Sequence, residues 1–295
     1  MVGTFTTVEE KITPAVYPRV AVLVVNWNGW RDTLTCLRSL HKLNYPNYVT
    51  LVIDNGSSDG SLERIREAFP DVLVLEAGRN LGFAGGNNLG IRRAVEIGAD
   101  YVWVLNNDTV VDPQSLSAMV RAAEADPKCA AIGSVIYRID GSRVEAWGGG
   151  DVNLHTGHSW HARGPQSSLT YLTGSSLLLR KQALRQVGLF DERFFLYWED
   201  TDLSFRLRKA GWNLHVAPEA KVWHKESGTA GQHSYLKARY FHRGLVLFMR
   251  RHATRPVVPA AIALYQKTKS AVVMRRWRVL AGIWIGWLEG WLARS

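Results

Sequence analysis

The chain has very little cysteine: 295 residues include only Cys36 and Cys129. Two thiols set apart in apolar or helical surroundings make neither a disulfide framework nor metal-ligand spacing. Both are expected to be buried, which agrees with a reducing compartment. No apolar run reaches the ~18 residues that a membrane-spanning helix needs. The first residues place Glu9, Glu10 and Lys11 ahead of Pro14 and lack the basic-then-apolar order of a signal peptide. The turn after the first apolar run has no Gly-x-Gly-x-x-Gly, and no Walker lysine motif occurs, so a nicotinamide or ATP site of those types is excluded. Acidic residues are missing between Glu226 and Glu289, whereas eleven Lys and Arg lie between Lys237 and Arg278. With a formal net charge of +10, the remainder is close to neutral. Such asymmetry implies an anionic surface or ligand near the C-terminal part, and nucleic acid and anionic lipid both qualify at this point.

What is present is a repeated strand-loop-helix pattern. At 46% hydrophobic, the chain has ample material for a core, in one large α/β domain or two smaller ones. Near-continuous β-branched runs at residues 19–26 and 48–54 read as strands covered on both faces, with a third at 72–75 and a fourth at 101–105. Helices are expected at 30–43, 61–69 and 89–97, and the glycine-rich stretch 78–88 reads as an irregular approach to the last of these. Short connections throughout predict a mostly parallel sheet with helices on both faces. Asn26, Asp54 and Asp108 each follow directly on an apolar run, so they converge at the carboxyl ends of strands, where ligands bind in such sheets. Gly82, Gly85 and Gly86 would let backbone N–H groups approach a diphosphate. Further on, a helix is expected from Pro113 to about Ala125 and a strand at 130–137. Residues 140–168, rich in Gly, His and Trp, form a binding excursion, and 171–179 returns to the core with Gly174 and Ser175 in its middle.

A second cluster follows an aromatic run: Trp198, Glu199, Asp200, Thr201 and Asp202. Thr201 or Asp200 can cap the helix that continues through Arg208, and charge placement in a first turn accounts for one acid. It does not account for three acids beside aromatic rings, where apolar surroundings would raise a carboxylate pKa and make a proton acceptor. Two short strands, 214–217 and 220–222, then lead to His224 at a strand end, a candidate metal ligand together with Asp108.

The ordered series VLVVNWNG (22–29), VIDNGSSDGS (52–61), RNLGFAGGNN (79–88), VWVLNNDTVVD (102–112), LLLRK (177–181), the stretch 190–212 around the acidic cluster and VWHKESGT (222–229) resembles the inverting family 2 glycosyltransferases of GT-A fold. Within them it looks most like the bacterial rhamnosyltransferase-like branch that builds cell-surface polysaccharide, and the resemblance covers about residues 19–250. It implies a Rossmann-like α/β fold with a mixed, mostly parallel sheet flanked by helices, and transfer of a sugar, with inversion, from a nucleotide diphosphate donor to an acceptor hydroxyl, using Mg²⁺ or Mn²⁺. Carried over by motif, Asn26, Asn28, Asp54, Asn80, Gly82, Asn87, Asn107 and Asp108 belong to the nucleotide-sugar site, with Asp54 facing the base. Asn106, Asn107 and Asp108 occupy the family's Asp-x-Asp position, which leaves Asp108 as the one carboxylate ligand, and His224 completes the metal site. Asp200 matches the catalytic base, Glu199, Trp198 and Gly174 belong to the acceptor side, and Asp202 is supporting or structural. The polymerising members' Gln-x-x-Arg-Trp signature has no equivalent after Asp202, so addition of a single sugar is expected.

The domain reading is a leader at 1–18, a transferase domain at 19–250 (donor half 19–112, acceptor half 113–250), and a basic, Trp-rich helical region at 251–295. In the last, Leu280, Trp284, Trp287 and Trp291 recur at helical spacing, widened by Val279 and Ile283, just after Arg275, Arg276 and Arg278. That stripe is expected to lie on an anionic membrane surface at the cytoplasmic face, the alternatives being that it packs onto the catalytic domain or against a second subunit. The donor is expected to be dTDP-rhamnose or a UDP-sugar, and the acceptor a glycan or polyprenyl-diphosphate-linked sugar. Two other classes of function compete with this reading. A sugar-nucleotide nucleotidyltransferase would need a basic glycine-rich loop where Trp27, Asn28, Gly29 and Trp30 stand. A nucleic-acid-binding protein would leave the acidic strand ends unexplained, so nucleic acid is not the expected partner.

Overall fold

The computed structural model describes residues 17–165, 169–225 and 235–293. All but the last two residues of the expected leader, and part of the VWHKESGT motif, lie outside them. The first half is built from β1 (Val20–Asn26), α1 (Trp30–Leu40), β2 (Tyr48–Asp54), α2 (Ser61–Ala68), β3 (Leu73–Glu76), α3 (Gly82–Glu96) and β4 (Tyr101–Asn106). β1 explains its own burial. Its even-numbered valines, Val20, Val22 and Val24, pack with Leu37 of α1 and Ile65 of α2, while Ala21 and Leu23 pack with Ile91 of α3. A period of two places neighbouring residues on opposite faces, and here both faces are covered.

β1, β2, β3 and β4 are all parallel, in the spatial order β3-β2-β1-β4. The chain runs outward from β1 to β3 and then returns to β4 on the other side of β1, which makes the β1/β4 boundary a topological switch point. Register puts Asn26 opposite Asp54 and Val25 opposite Asn106, so the three strands end level.

The second half adds β5 (Thr109–Val111), α4 (Ser115–Glu124), β6 (Cys129–Arg138), β7 (Val144–Trp147), β8 (Gly149–Val152), β9 (Ser159–His161), β10 (Tyr171–Leu172), β11 (Ser176–Arg180), α5 (Lys181–Val187), α6 (Glu199–Lys209) and β12 (Asn213–His224). Here β11 runs antiparallel between β4 and β6, and β12 is parallel to β6 and antiparallel to β5. The result is the expected mixed sheet with helices on both faces.

Four local expectations change. The glycine-rich stretch at 82–88 is not irregular: α3 begins at Gly82. Its glycines allow the helix to lie close to the sheet, and a methyl group at Gly90 would stand 2.8 Å from Ile53 Cδ1. The excursion at 140–168 carries three short strands that extend the sheet edge. The two short strands before His224 are one strand, β12, with an irregularity between Ala217 and Lys221 around Pro218, which cannot donate to the ladder. No side chain caps α6: Trp198 holds the N-cap position in a left-handed conformation.

Three helices complete the described chain: α7 (Tyr235–His252), α8 (Val257–Val273) and α9 (Trp277–Leu292). α9 lies along α7 on a glycine face. A methyl group at Gly286 would meet the Arg239 carbonyl oxygen at 2.0 Å, and one at Gly282 would meet that of Tyr235 at 2.4 Å. This packing rotates the expected stripe. Ile283 is buried and Trp287 and Trp291 pack into the interior, whereas Trp284, Ile285, Leu288 and Leu292 face outward.

Candidate active site

The level ends of β1, β2 and β4 make one hydrogen-bonded platform. Asn26 Nδ2 donates to Asp54 Oδ1 at 3.1 Å and to Ser57 Oγ at 3.0 Å, while its Oδ1 accepts from Thr33 Oγ1 at 2.8 Å. The other Asp54 oxygen accepts from Ser57 N at 3.1 Å. Thr33 also accepts from Asn107 Nδ2 at 3.0 Å, which joins the end of β4 to α1. Asn28, at φ +51°, turns the chain away and its Oδ1 accepts from Ser58 N. Asn80 Oδ1 takes the Gly82 N–H at 2.8 Å and the Asn55 side chain at 3.1 Å. Asn87 donates to Phe83 O at 2.9 Å, and among the described residues its buried Oδ1 has no hydrogen-bond partner. The nucleotide-side residues expected from the sequence thus lie on the ends of β1, β2 and β4 and the start of α3. Thr33, Asn55 and Ser57 were not expected; no spacing distinguishes them from ordinary turn and cap residues.

Folding brings Asp108 and His224 together across 116 positions of sequence, at 3.2 Å between Oδ1 and Nε2. The pairing of β5 with β12 is the cause, since Thr109 lies opposite His224. Two ligands sharing one small divalent ion at ~2.1 Å with ~90° between them stand ~3 Å apart, so this carboxylate–imidazole pair fits adjacent positions around such an ion. Glu145 of β7, which the sequence did not single out, approaches the other ring nitrogen at 3.7 Å, the place of a group that orients a metal-bound histidine. Among the described residues no three His, Cys, Asp or Glu side chains form a complete ligand set. The remaining positions would fall to donor oxygens and water.

The acidic cluster divides into three different environments. Asp202 is fully buried and meets Arg206 at 2.7 Å, Arg251 at 2.9 Å and His252 at 2.9 Å. Burial alone would raise its pKa, but the His252 hydrogen bond and the two guanidinium groups hold it down at about 2. It fastens α6 to α7. Asp200 retains some solvent access, and its Oδ2 accepts from Gly174 N at 2.7 Å and its Oδ1 from Thr201 N at 2.6 Å. Desolvation outweighs these bonds and raises its pKa. The turn that holds Asp200 also touches the end of β4, because Ser175 O accepts from Asn106 N at 3.1 Å.

Glu199 is buried, with Oε2 lacking a hydrogen-bond partner among the described residues, and burial followed by the charge of Asp200 pushes its pKa well up. Trp198 is likewise buried, packed against Phe241 and Phe248 of α7. Phe195, Tyr197 and Trp198 all have positive φ, at +55°, +69° and +75°. Each such backbone costs on the order of 1–3 kcal/mol and persists only where the surroundings over-determine it. Here Phe83 N donates to Phe195 O at 2.6 Å, and Gly244 leaves room beneath Trp198.

The Glu199 environment sets a pH test. A carboxyl whose pKa is raised by folding adds stability below its unfolded pKa and loses it as pH rises through the folded one. Glu199→Gln keeps the neutral shape at every pH. Urea melts are expected to show no difference from the parent near pH 4 and a gain on the order of 1 kcal/mol or more by pH 8. A gap that does not widen with pH would mean that Glu199 is not held neutral.

Comparison with known proteins agrees with this geometry. The family described as "Glycosyltransferase like family 2" matches residues 18–241. The N-acetylglucosaminyl-diphospho-decaprenol L-rhamnosyltransferase of Mycobacterium tuberculosis is 32% identical over 231 residues, which cover 69% of this chain and 75% of that protein. Among solved structures, the mannosyltransferase PcManGT from Pyrobaculum calidifontis, in complex with GDP-Man and Mn²⁺, superposes with a TM-score of 0.61 at 18% identity, covering 96% of this chain and 77% of that one. GalNAc-T7 with UDP, GalNAc and Mn²⁺ gives 0.65 at 16% identity, covering 86% of this chain and 51% of that one. The two structures bear on fold alone, and the fold is GT-A-like. With the strand ends, the switch point and the family match in agreement, the chain belongs to glycosyltransferase family 2 and is a glycosyltransferase that takes its sugar from a nucleotide-sugar donor.

Proposed function

We propose that the protein adds a single sugar, rhamnose, with inversion, to a hydroxyl of a glycan or polyprenyl-diphosphate-linked acceptor in cell-surface polysaccharide synthesis. The observation that carries the reading is the turn at 173–175, which binds Asp200 through Gly174 N and the end of β4 through Ser175 O. A proton acceptor and the nucleotide platform are thereby one connected unit. The rhamnosyl donor rests on the likeness to the mycobacterial enzyme, and dTDP-rhamnose or a UDP-sugar fits the same platform.

In this mechanism Asn26, Asn28, Asp54, Asn80, Gly82, Asn87 and Asn107 shape the nucleotide-sugar site. Asp108 and His224 would hold Mg²⁺ or Mn²⁺, whose chemistry is to neutralise the diphosphate as it leaves. Asp200 takes the acceptor proton as the hydroxyl attacks the opposite face of the sugar, and its raised pKa suits a base working near neutrality. Gly174 fixes that carboxylate, while Glu199 and Trp198 close the acceptor end behind it. Asp200→Asn is expected to lower turnover ~10²–10⁴-fold with little change in donor affinity. Near-normal turnover in the folded variant would remove Asp200 from this role.

Asp108→Ala and His224→Ala should each weaken the Mn²⁺-dependent part of nucleotide diphosphate binding, measured by calorimetry with and without the ion. If both variants keep the parent's metal dependence, the ion is held elsewhere.

The protein is proposed to act at the cytoplasmic membrane face, where such acceptors are presented. Among the described residues no helix is long and apolar enough to cross a membrane. Support comes from the outward face of the last two helices: Val273, Met274, Trp277 and Trp284 are exposed, and Arg275, Arg276 and Arg278 stand among them. Apolar side chains framed by cations suit an anionic bilayer surface. Because α9 also covers α7, point changes are the cleaner test than truncation. Trp277→Ser with Trp284→Ser should release the protein from anionic vesicles in co-sedimentation, and added salt should do the same. Unchanged sedimentation, or a change of oligomeric mass instead, would assign the face to protein contact.

A further inference from the structure

Outside the site described above, a cavity of about 510 Å³ opens between α7, the C-terminal end of α9 and the segment just before the acidic cluster. Three arginines line it, Arg193, Arg239 and Arg243, and the charges around two of them are matched. Arg239 forms a bidentate pair with Glu289, 2.9 and 3.0 Å from Nε, and Arg193 pairs with Asp191 at 2.7 Å. The remaining wall acid, Glu192, is engaged by Asn88 at 3.0 Å and Arg92 at 3.8 Å.

Arg243 is different. Its guanidinium donates to the backbone carbonyl of Arg193, and no carboxylate lies within ion-pair reach of it among the described residues. Burial pulls its pKa below the ordinary arginine value. A half-buried guanidinium satisfied only by a carbonyl has donors to offer, and guanidinium is the side chain that best matches phosphate oxygens.

The other walls say what kind of anion fits. Phe195 and Tyr240 stack at 4.7 Å on one side, and Leu292, 81% exposed, forms the rim. Leu292 is also the last residue of the outward apolar face of α9, continuous along the helix with Leu288 and Ile285. An apolar track therefore leads to a cavity in which Arg243 is the guanidinium not matched by a carboxylate among the described residues. Phe195 links the cavity wall to the reaction centre through Phe83: its carbonyl accepts from Phe83 N at 2.6 Å, and the Phe83 ring lies against Gly174, which holds Asp200.

We propose that this cavity is a binding subsite for the diphosphate of a lipid-linked acceptor, with Arg243 on the phosphate and the α9 face under the first isoprene units. The inference rests on the proposed transferase reading and names the part of the acceptor that the reading leaves open. The diphosphate would be held on the Phe195 wall of the cavity, with its attached sugar reaching past that ring toward Asp200.

Farnesyl diphosphate is a water-soluble probe, titrated into the full chain by tryptophan fluorescence or calorimetry with EDTA present, so that metal-dependent binding at the nucleotide platform is silent. Farnesyl diphosphate is expected to bind at least ~10-fold more tightly than either inorganic pyrophosphate or farnesol. Arg243→Gln should weaken it by ~10-fold or more, and Arg243→Lys by less, since the charge remains. Leu292→Glu, at an exposed rim position that folding does not need, should weaken farnesyl diphosphate and leave pyrophosphate unchanged. Parent-like binding by Arg243→Gln with an unaltered melting profile would overturn the subsite, as would displacement of the probe by a nucleotide diphosphate in EDTA. The two readings fail separately. Sugar transfer to a soluble glycan without farnesyl diphosphate binding removes the subsite alone. Probe binding that obeys these variants, with no turnover across a donor panel, removes the transferase assignment alone.

Discussion

Three residues between β10 and β11 carry the connection on which the site depends. Gly174 N holds one oxygen of Asp200, and one residue later Ser175 O takes the N–H of Asn106 at the end of β4. Both contacts are made by backbone groups of the turn, so on its side the separation between the Asp200 carboxylate and the strand ends is set by peptide geometry. Gly174 has to be small: a methyl group there would stand 3.0 Å from the Phe83 ring and 3.4 Å from Asp200 Cβ. The platform at the strand ends is fixed equally firmly, since strand register alone puts Asn26 beside Asp54.

The strained segment ahead of α6 needs an anchor, and Asp202 supplies it. Three positive-φ aromatics in four residues would relax if the first turn of α6 could shift. The Asp202 cluster prevents that shift by binding Arg206 in the same helix and Arg251 and His252 at the end of α7. Removing one partner of a buried ion cluster is costly, on the order of 3–5 kcal/mol, because the others remain buried and unmatched. Neighbouring acids in one turn thus have opposite tasks. Asp202 is kept charged by cations, whereas Glu199 and Asp200 are pushed toward the neutral form by the same burial that those cations offset only at Asp202.

Much of this was legible in the sequence because it depends on local pattern. β-branched runs announce strands buried on both faces, and polar residues immediately after them announce the ligand-binding edge. What stayed hidden depends on pairing. Glu145 meets His224 only because β7 and β12 flank β6, and nothing in one sequence distinguishes it from any other acid in a Gly-rich excursion. The glycines of α3 illustrate the reverse case. Gly82, Gly85 and Gly86 suggest an open loop, yet the same lack of side chain lets a helix lie against Val25 and Phe195. Small residues signal close approach without saying what approaches.

The last helix shows why periodicity alone misplaces a face. α9 is apolar nearly all round, so several stripes satisfy helical spacing equally well. Tryptophan drew attention to one of them, but the face that buries is decided by how closely the helix axes can come. Gly282, Gly286 and Gly290 recur at every fourth residue and let α9 settle onto the α7 backbone. Trp287 and Trp291, which flank that line, are carried inward with it, while Trp284 and Leu288 are turned out. Among the described residues the two indole N–H groups of the inward pair are buried without hydrogen-bond partners. Glu289 fits this orientation: it reaches Arg239 across the same interface, so the single acid in a basic region is used to fasten α9 to α7. The outward face is thereby left apolar and cationic only, with its one neighbouring carboxylate already neutralised.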